Sequence, residues 1–270
     1  MSLSMNVVRN AAATAGVALI VAASLASAQG KVLPCPDRDG SDRPSHCEIR
    51  ELSVPVVGNA LAVDATPNGG ISVRGWDRAD IQVRARVTAN ADTQQEADAV
   101  AAEVRVLTDG GRIRSEGRSW VGRGGWSVSF EVMAPAQHGL TLRTKNGGIS
   151  VTGVHADIDM ETVNGGIKLS DVNGEVRGRT NNGGVQIDLS GDSWIGQGLD
   201  VQTHNGGVRL SVPDGYSAHL EAGTTNGGLR CDFPVTVQGT LGKDLSADLG
   251  RGGVPLKIRT VNGGVSVVRK

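Results

Sequence analysis

The sequence predicts an all-β fold, a parallel β-solenoid with coils of about 18 residues that turn at Asn-Gly-Gly corners, plus one short helix in the N-terminal half. Two observations predict it. The pentapeptide Thr-x-Asn-Gly-Gly occurs seven times, and every copy is followed by an apolar, a polar and an apolar residue. Short repeats are typical of stacked units that bury their apolar faces against their neighbours. The seven asparagines are Asn68, Asn146, Asn164, Asn182, Asn205, Asn226 and Asn262.

The spacing of the copies defines the repeat. Successive asparagines are 78, 18, 18, 23, 21 and 36 residues apart, so 18 is the base period and the last gap spans two periods. In each unit, apolar residues such as Ile167 and Leu169 flank a polar residue such as Lys168 after the corner. A similar alternation precedes each asparagine, and a period of two indicates half-buried strands. Consecutive units are therefore predicted to stack in register as parallel strands.

The residues of the repeat suggest how each corner is built. Asparagine and glycine tolerate left-handed backbone angles, which predicts a sharp turn at Asn-Gly-Gly. Asparagines one strand spacing apart, about 4.8 Å, are expected to form a hydrogen-bonded ladder. The threonine hydroxyl is expected to satisfy backbone groups at the corner. A run of antiparallel Asn-Gly hairpins is the rival interpretation, but the constant period favours the solenoid.

The N-terminus has the pattern of a secretory signal peptide over residues 1–28. Arg9 precedes an apolar stretch from Ala11 to Ala26, and Ala26-Ser27-Ala28 provides a small-residue cleavage site. No later apolar run is long enough to cross a bilayer. We therefore expect an exported protein that does not span the membrane and that is periplasmic, secreted or on the cell surface.

The mature chain is expected to contain two parts. Cys35 and Cys47 flank a loop rich in Pro, Asp and Gly, which predicts a disulfide-tied segment over residues 29–50 in an oxidising compartment. The solenoid domain is predicted over residues 51–270. Cys231 occupies a position that is Val, Leu or Ile in other units, so we interpret it as a core residue.

The long gap between the first and second copies departs from the simple repeat. Thr93 and Glu96 form a capping box, and Ala97, Val100 and Ala101 follow at helical spacing. Strands are predicted near residues 71–73, 81–87, 104–107, 112–115 and 126–132. Residues 239–253 take the place of a missing corner and are expected to form an irregular coil or an inserted loop.

The chain resembles a bacterial family of exported proteins of unknown function, called putative adhesins with β-strand repeats. The resemblance is carried by Val132-Met133-Ala134-Pro135, by the stretch Leu140 to Ile149 around the second corner, and by the tandem Thr-x-Asn-Gly-Gly units that follow. It covers nearly all of the chain after about Glu51. It implies a β-repeat fold and an adhesive role, and it implies no catalytic residues.

The sequence argues against catalysis and against a bound cofactor. Asp188 and Asp232 are the best carboxylate pair, but two strand spacings, about 9.6 Å, exceed the separation used by glycosidases. The five histidines show no spacing typical of metal ligands, and Asp37, Asp39 and Asp42 lack the pattern of a calcium loop. We therefore expect neither an enzyme nor a metal or cofactor site.

Charge and aromatic content narrow the possible partners. The net charge is −1, and the outward rows before each asparagine tend to alternate in sign, which argues against nucleic acid. Lys168, Gln186, Arg209 and Arg230 form the only mildly basic stripe.

Aromatic residues make up only 3% of the chain, so each of them is informative. Trp120 and Arg123 fall at the tip of a predicted hairpin and Trp194 on a predicted protruding loop, which makes them candidate contacts for a glycan or an envelope protein. We expect a non-enzymatic, adhesin-like or structural role at the cell envelope. A polysaccharide-active enzyme and a scaffold for an envelope signalling partner are the alternatives.

Overall fold

The computed structural model describes residue 35 and residues 43–118, 124–233 and 242–270, and these residues are mostly β-strands. The N-terminal half contains one helix, α1 (Gln94–Glu103), and seven strands. These strands are β1 (Ser45–Val54), β2 (Ala60–Asp64), β3 (Ile71–Trp76), β4 (Ile81–Asn90), β5 (Arg105–Asp109), β6 (Arg112–Glu116) and β7 (Gly125–Pro135).

The C-terminal half contains thirteen described strands, and all of them except Asp244–Leu249 are the repeated strands that the sequence predicts before and after each Asn-Gly-Gly segment. They are β8 (Gly139–Arg143), β9 (Ile149–Thr152), β10 (Ile158–Asn164), β11 (Ile167–Ser170), β12 (Glu175–Asn182), β13 (Val185–Asp188), β14 (Gly198–Asn205), β15 (Val208–Val212), β16 (Ala218–Asn226), β17 (Leu229–Cys231), β18 (Asp244–Leu249), β19 (Pro255–Asn262) and β20 (Val265–Arg269).

The strands form two ten-stranded sheets. Sheet A has the order β1-β4-β7-β3-β9-β11-β13-β15-β20-β17, and sheet B has the order β18-β16-β19-β14-β12-β10-β8-β2-β6-β5. Within each unit the strand before Asn-Gly-Gly lies in sheet B and the strand after it lies in sheet A. The alternation of apolar and polar residues directs one face of each sheet inward. Apolar side chains of both sheets, among them Ile167 of sheet A and Met160 of sheet B, belong to one buried core.

Neighbouring repeat strands are parallel, which excludes the antiparallel hairpin interpretation. Ile158 of β10 is opposite Val176 of β12, and Asn164 is opposite Asn182. In sheet A, Ile167 of β11 is opposite Val185 of β13. The predicted mostly-β chain with parallel strands is confirmed, and so is the predicted helix, whose capping box at Thr93 has both of its hydrogen bonds.

The order of the last two units corrects the prediction that consecutive units stack on one another. β19 pairs with β14 on one side and with β16 on the other, and β20 lies between β15 and β17. The C-terminal unit therefore lies between two units that precede it in the sequence. Within the stretch predicted to be irregular, Asp244–Leu249 forms β18, which pairs antiparallel with β16.

The N-terminal elements close the other end of sheet A with antiparallel strands. β4 pairs antiparallel with both β1 and β7. β1 begins at Ser45, within residues 29–50, which the sequence predicted to be a separate disulfide-linked segment. Val100 and Ala101 of α1 pack with Ala89 and Trp126 at this end. A disulfide joins Cys35 to Cys47 on β1, with the Cα atoms 5.7 Å apart.

Candidate functional site

The predicted aromatic contacts do not form a shared surface in the part of the chain that the structure describes. Trp120 and Arg123 lie outside the described residues. Trp194 is buried, with 5% of its surface exposed, and its indole Nε1 donates a hydrogen bond of 2.9 Å to the carbonyl oxygen of Gly174. The expected exposure of Trp194 is therefore wrong. The same loop instead exposes Ile195, which is 72% accessible.

The side chains of the repeat asparagines form a continuous ladder along the stack. Each Nδ2 donates to the Oδ1 of the neighbouring asparagine at 2.7–2.9 Å. All six bonds have the same direction, from each asparagine toward Asn68. The spatial order is Asn68, Asn146, Asn164, Asn182, Asn205, Asn262 and Asn226.

The threonines of the repeat connect each unit to its neighbour from inside. Thr180 is buried, and its hydroxyl donates a hydrogen bond of 2.8 Å to the carbonyl oxygen of Gly165 in the adjacent unit. The equivalent bond is present at five other copies, at 2.7–2.9 Å. The expected hydrogen bond from threonine to the backbone is confirmed there. In the first copy, the Thr66 hydroxyl instead donates to Asp64.

The first glycine of each Asn-Gly-Gly segment is required because neighbouring backbones approach closely. A Cβ atom at Gly165 would lie 2.0 Å from the carbonyl oxygen of Gly147, and one at Gly206 would lie 2.2 Å from that of Gly183. Among the described repeat glycines only Gly69 and Gly206 have left-handed φ, at 150° and 157°. The predicted left-handed turn is therefore not the general reason for glycine. The general reason is that the backbone of the adjacent unit leaves no space for a Cβ atom.

The outer face of sheet B carries ion pairs between neighbouring strands. Arg143 lies 2.7 Å from Asp159 and 3.4 Å from Glu161. Lys257 lies 3.3 Å from Glu221. Such exposed pairs contribute little individually, about 0–1 kcal/mol, but they leave this face with neighbouring charges that neutralise one another.

The outer face of sheet A has a different charge pattern. Its row nearest the Asn-Gly-Gly segments reads Ser150, Lys168, Gln186, Arg209, Ser266 and Arg230 across six adjacent strands. Within the described ranges, Lys168 and Arg209 make no ion pair or hydrogen bond through their side chains, whereas Arg230 lies 2.9 Å from Asp232. Cations therefore occupy every second strand of this face.

A shallow groove runs beside this row of polar side chains. One part is lined by Lys168, Gln186 and Arg209 together with Gly148, Gly166 and Gly184. The adjoining part is lined by Arg209, Ser266 and Arg230 together with Gly207, Gly264 and Gly228. Arg209 belongs to both parts, so they form one groove across β9, β11, β13, β15, β20 and β17, which we call the glycine groove. The second glycine of each repeat leaves space for it because it has no side chain.

The carboxylate pair singled out in the sequence is farther apart than expected. Because β20 lies between β15 and β17, three strand spacings separate Asp188 from Asp232, about 14 Å. Each carboxylate also contacts its own strand, since Gln186 donates to Asp188 at 3.2 Å and Arg230 donates to Asp232 at 2.9 Å. The two groups therefore do not converge on one sugar unit.

A hydrogen-bonded Ser-His-Asp chain lies on the outer face of β16 and β18 and was missed in the sequence. Nδ1 of His219 is 2.7 Å from Asp248, and Nε2 of His219 is 3.2 Å from the Ser246 hydroxyl. The distances resemble those of a hydrolase triad. However, the His219 and Asp248 side chains are 36% and 66% exposed, whereas the aspartate of such a triad is buried. We interpret the contacts as cross-strand hydrogen bonds.

His138 is one of three titratable groups among the described residues whose pKa is shifted, the others being Asp98 and Tyr216. Burial lowers the pKa of His138, which is 6% exposed and whose Nε2 atom has no hydrogen-bond partner in the described structure. The residues that the structure describes contain no cluster of three or more His, Cys, Asp or Glu able to hold a metal ion. Asp37, Asp39 and Asp42 lie outside those residues. In the described ranges, no helix is long and apolar enough to pass through a bilayer.

Comparison with known proteins places the chain in a family. No curated protein matches it. A solved structure of a putative cell adhesion protein from Clostridium sporogenes ATCC 15579 is similar, with a TM-score of 0.47 and 11% identity, over 83% of this chain and 100% of that chain. A solved structure of a putative adhesin from Bacteroides fragilis NCTC 9343 is also similar, with a TM-score of 0.40 and 10% identity, over 83% of this chain and 97% of that chain.

A putative lipid binding protein from Parabacteroides distasonis ATCC 8503 is also similar, with a TM-score of 0.25 and 11% identity, over 82% of this chain and 96% of that chain. The Toastrack DUF4097 family model matches residues 68–268. The matched region includes all seven repeat asparagines. The chain therefore belongs to the Toastrack DUF4097 family.

Proposed function

We propose that the protein is an exported, non-enzymatic binding protein of the cell envelope, and that its repeated outer face is the part that contacts a partner. The observation that carries this proposal is the outer face of sheet A, where six adjacent parallel strands present the same side-chain position in one row. Regular rows on repeat proteins are suited to extended partners. A disulfide between Cys35 and Cys47 is consistent with an oxidising compartment.

The structural part of the proposal is a solenoid in which each Asn-Gly-Gly segment is a corner between sheet B and sheet A. The 18-residue separation of Asn146, Asn164 and Asn182, together with the asparagine ladder and the threonine bonds, supports coils of that length. Longer units, such as the one ending at Asn205, would carry their extra residues in the second turn. A rigid stack of this kind would hold a binding face in one geometry.

Export is tested first, by fractionation of cells that produce the full-length sequence. We expect a mature protein that begins after Ala28 and that is recovered from the periplasm, the medium or the cell surface. Mass spectrometry of its N-terminus provides the measurement. An uncleaved chain in the cytoplasm would contradict the proposal.

Binding is tested with the same protein on an array of glycans and envelope polymers, with product release monitored in the same wells. We expect saturable binding without turnover. Trp120→Ala and Arg123→Ala test the candidate contacts that lie outside the described residues. Turnover of any polymer would overturn the non-enzymatic assignment, and absence of binding to all envelope material would overturn the binding role.

A further inference from the structure

We propose that the glycine groove binds a linear acidic polysaccharide in which acidic and neutral sugars alternate, with Lys168, Arg209 and Arg230 contacting its carboxylates. This inference rests on the proposed binding function and specifies its ligand and its site. It follows from the spacing of the three cations, from the residues between them, and from the lack of internal partners for two of them.

The three cations are evenly spaced along the groove. Lys168 on β11 and Arg209 on β15 are separated by β13, and Arg209 and Arg230 are separated by β20. Two strand spacings correspond to about 9.6 Å in both intervals. An extended glycan advances by roughly one strand spacing per sugar, so an acidic group on every second sugar would meet each cation in turn.

The residues between the cations have complementary chemistry. Ser150, Gln186 and Ser266 occupy the alternate strands of the same row, and they offer hydroxyl or amide groups. These groups can exchange hydrogen bonds with sugar hydroxyls, whereas the cations suit carboxylates. The row therefore alternates between a neutral polar contact and a cationic contact over six strands, about 24 Å from end to end.

The cations are available to a ligand. Lys168 and Arg209 are exposed and have no side-chain partner among the described residues. Two carboxylates lie on the same face of sheet A. Asp188 is two residues after Gln186 and Asp232 is two residues after Arg230, so both lie roughly 6.6 Å from the row that contains the cations. Asp232 pairs with Arg230 at 2.9 Å, so a ligand carboxylate would compete with Asp232 there. Lys168 and Arg209 should therefore carry most of the ionic attraction.

Other polyanions fit this row less well. A DNA strand in a duplex carries a phosphate about every 3.4 Å, which is much denser than the cations. Single-stranded nucleic acid binding also relies on aromatic side chains, and the residues that line the two parts of the groove are glycines, aliphatic residues and polar residues. An extended acidic peptide presents side chains on one face about every 6.6 Å, which does not match the spacing of about 9.6 Å between the cations.

An acidic peptide in the polyproline II conformation is the closest competitor. Every third residue of such a peptide recurs at about 9.3 Å, which matches the cation spacing. The hydroxyl and amide groups between the cations favour the glycan, because a sugar offers hydroxyls at the intervening positions. The test therefore includes an acidic peptide as a separate ligand.

The experiment uses the full-length protein and its double variant Lys168→Gln/Arg209→Gln. The probe is a hyaluronan oligosaccharide long enough to span six strands, because its acidic and neutral sugars alternate. Calorimetry at low and physiological salt measures the affinity. We expect the double variant to bind roughly tenfold or more weakly, because it lacks two charge-assisted contacts. The affinity of the unmodified protein should fall with salt.

The matched control is Lys257→Gln/Arg259→Gln, which removes two positive charges from the outer face of sheet B. This control should bind hyaluronan within about twofold of the unmodified protein, since only long-range charge changes. Equal weakening in both double variants would overturn the site. Absence of saturable hyaluronan binding, or tighter binding of polyglutamate than of hyaluronan, would overturn the ligand class.

The proposed function and this inference fail in different ways. If the Lys168/Arg209 double variant binds envelope material on the array as well as the unmodified protein does, the binding role stands and the groove proposal is wrong. If the unmodified protein binds no envelope material, the function itself is wrong. If the Lys168/Arg209 double variant melts at the same temperature as the unmodified protein, its loss of affinity does not reflect unfolding.

Discussion

Asn262 donates a side-chain hydrogen bond of 2.8 Å to Asn205, which lies 57 residues earlier in the chain. The C-terminal unit therefore occupies the place that the unit of Asn226 would take if units stacked in sequence order. Asn226 in turn donates to Asn262 at 2.9 Å, so the ladder continues through the inserted unit without a break. The final strands of the chain are thus internal strands of both sheets.

The position of the C-terminal unit between two earlier units separates residues of like charge on the outer faces of both sheets. On sheet B, Lys257 lies between Asp200 and Glu221. On sheet A, Ser266 lies between Arg209 and Arg230. Sequence order would place the two acids opposite each other on sheet B and the two arginines opposite each other on sheet A. Directly opposite like charges destabilise a sheet, whereas opposite charges contribute roughly 0.2–1 kcal/mol.

Lys257→Glu should destabilise the protein by about 1 kcal/mol at low salt, because it removes the pair with Glu221 and places carboxylates on three adjacent strands. The effect should shrink as salt screens these exposed charges. Urea unfolding at two salt concentrations provides the measurement. Lys168→Glu is the control, since its neighbours in the row, Ser150 and Gln186, are uncharged. Equal urea midpoints for the two variants would contradict the charge argument.

The C-terminal strands should be among the slowly exchanging parts of the molecule. Chain termini usually fray, but β19 and β20 have hydrogen-bonded neighbours on both sides. Hydrogen exchange followed by mass spectrometry should therefore show peptides from residues 256–268 protected to the same degree as those from β12 and β13. If these C-terminal peptides exchange first, the inserted position is wrong.

The sequence predicts the elements of this fold better than their arrangement. Alternating residues and the capping box at Thr93 locate most strands and the helix, because these signals depend only on neighbouring residues. The order of units depends on long-range pairing, which a repeat period does not specify. The charge rows contained that information, since Asp200 beside Glu221 was the unfavourable pair in sequence order.

The properties of single residues were missed for similar reasons. The extra residues before Asn205 suggested that Trp194 protrudes into solvent. Burial depends on how the loop folds, and this loop buries Trp194 and exposes Ile195. The repeat glycines suggested left-handed backbone, whereas the contact that requires Gly165 comes from the neighbouring unit. The sequence showed only part of the glycine groove, as a basic stripe, because the position of β20 places Ser266 between Arg209 and Arg230.

Gly165→Ala should be strongly destabilising. The added Cβ would lie 2.0 Å from the carbonyl oxygen of Gly147, so neighbouring units must separate locally. Overpacking of this kind costs about 1–3 kcal/mol or more, which is roughly 2–4 °C in Tm per kcal/mol for a chain of this size. Gly228→Ala is the matched control, since a Cβ there meets no atom within 4 Å. Thermal unfolding that gives equal Tm values for the two variants would rule out the steric explanation.

Thr180→Val should cost about 1–3 kcal/mol, although the side-chain shape is nearly unchanged. The buried hydroxyl donates to the Gly165 carbonyl, and its removal leaves that acceptor without this bond. The free energy of unfolding measured in urea tests this. The comparison variant is Thr66→Val, because the exposed Thr66 hydroxyl bonds Asp64 and not the backbone of an adjacent unit. A loss at Thr66 as large as that at Thr180 would show that the bond between units is not responsible.

His138 should make the protein less stable as the pH falls below neutrality. Burial lowers the pKa of His138, so below the ordinary value near 6.5 the unfolded chain binds a proton that the folded chain does not. The free energy of unfolding therefore decreases as the pH falls from about 7.5 to 5.5, and this contribution is absent above the unfolded pKa. His138→Phe removes the titrating group and should flatten the pH dependence of Tm over that interval.

Three further histidines make the comparison between variants necessary. The rings of His46, His155 and His219 lie 2.8 Å, 3.4 Å and 2.7 Å from the carboxylates of Asp98, Asp171 and Asp248, and these residues are unchanged in the His138→Phe variant. The difference in slope between the unmodified protein and His138→Phe therefore isolates the buried ring. A slope that is identical in the unmodified protein and His138→Phe would mean that the buried imidazole does not resist protonation.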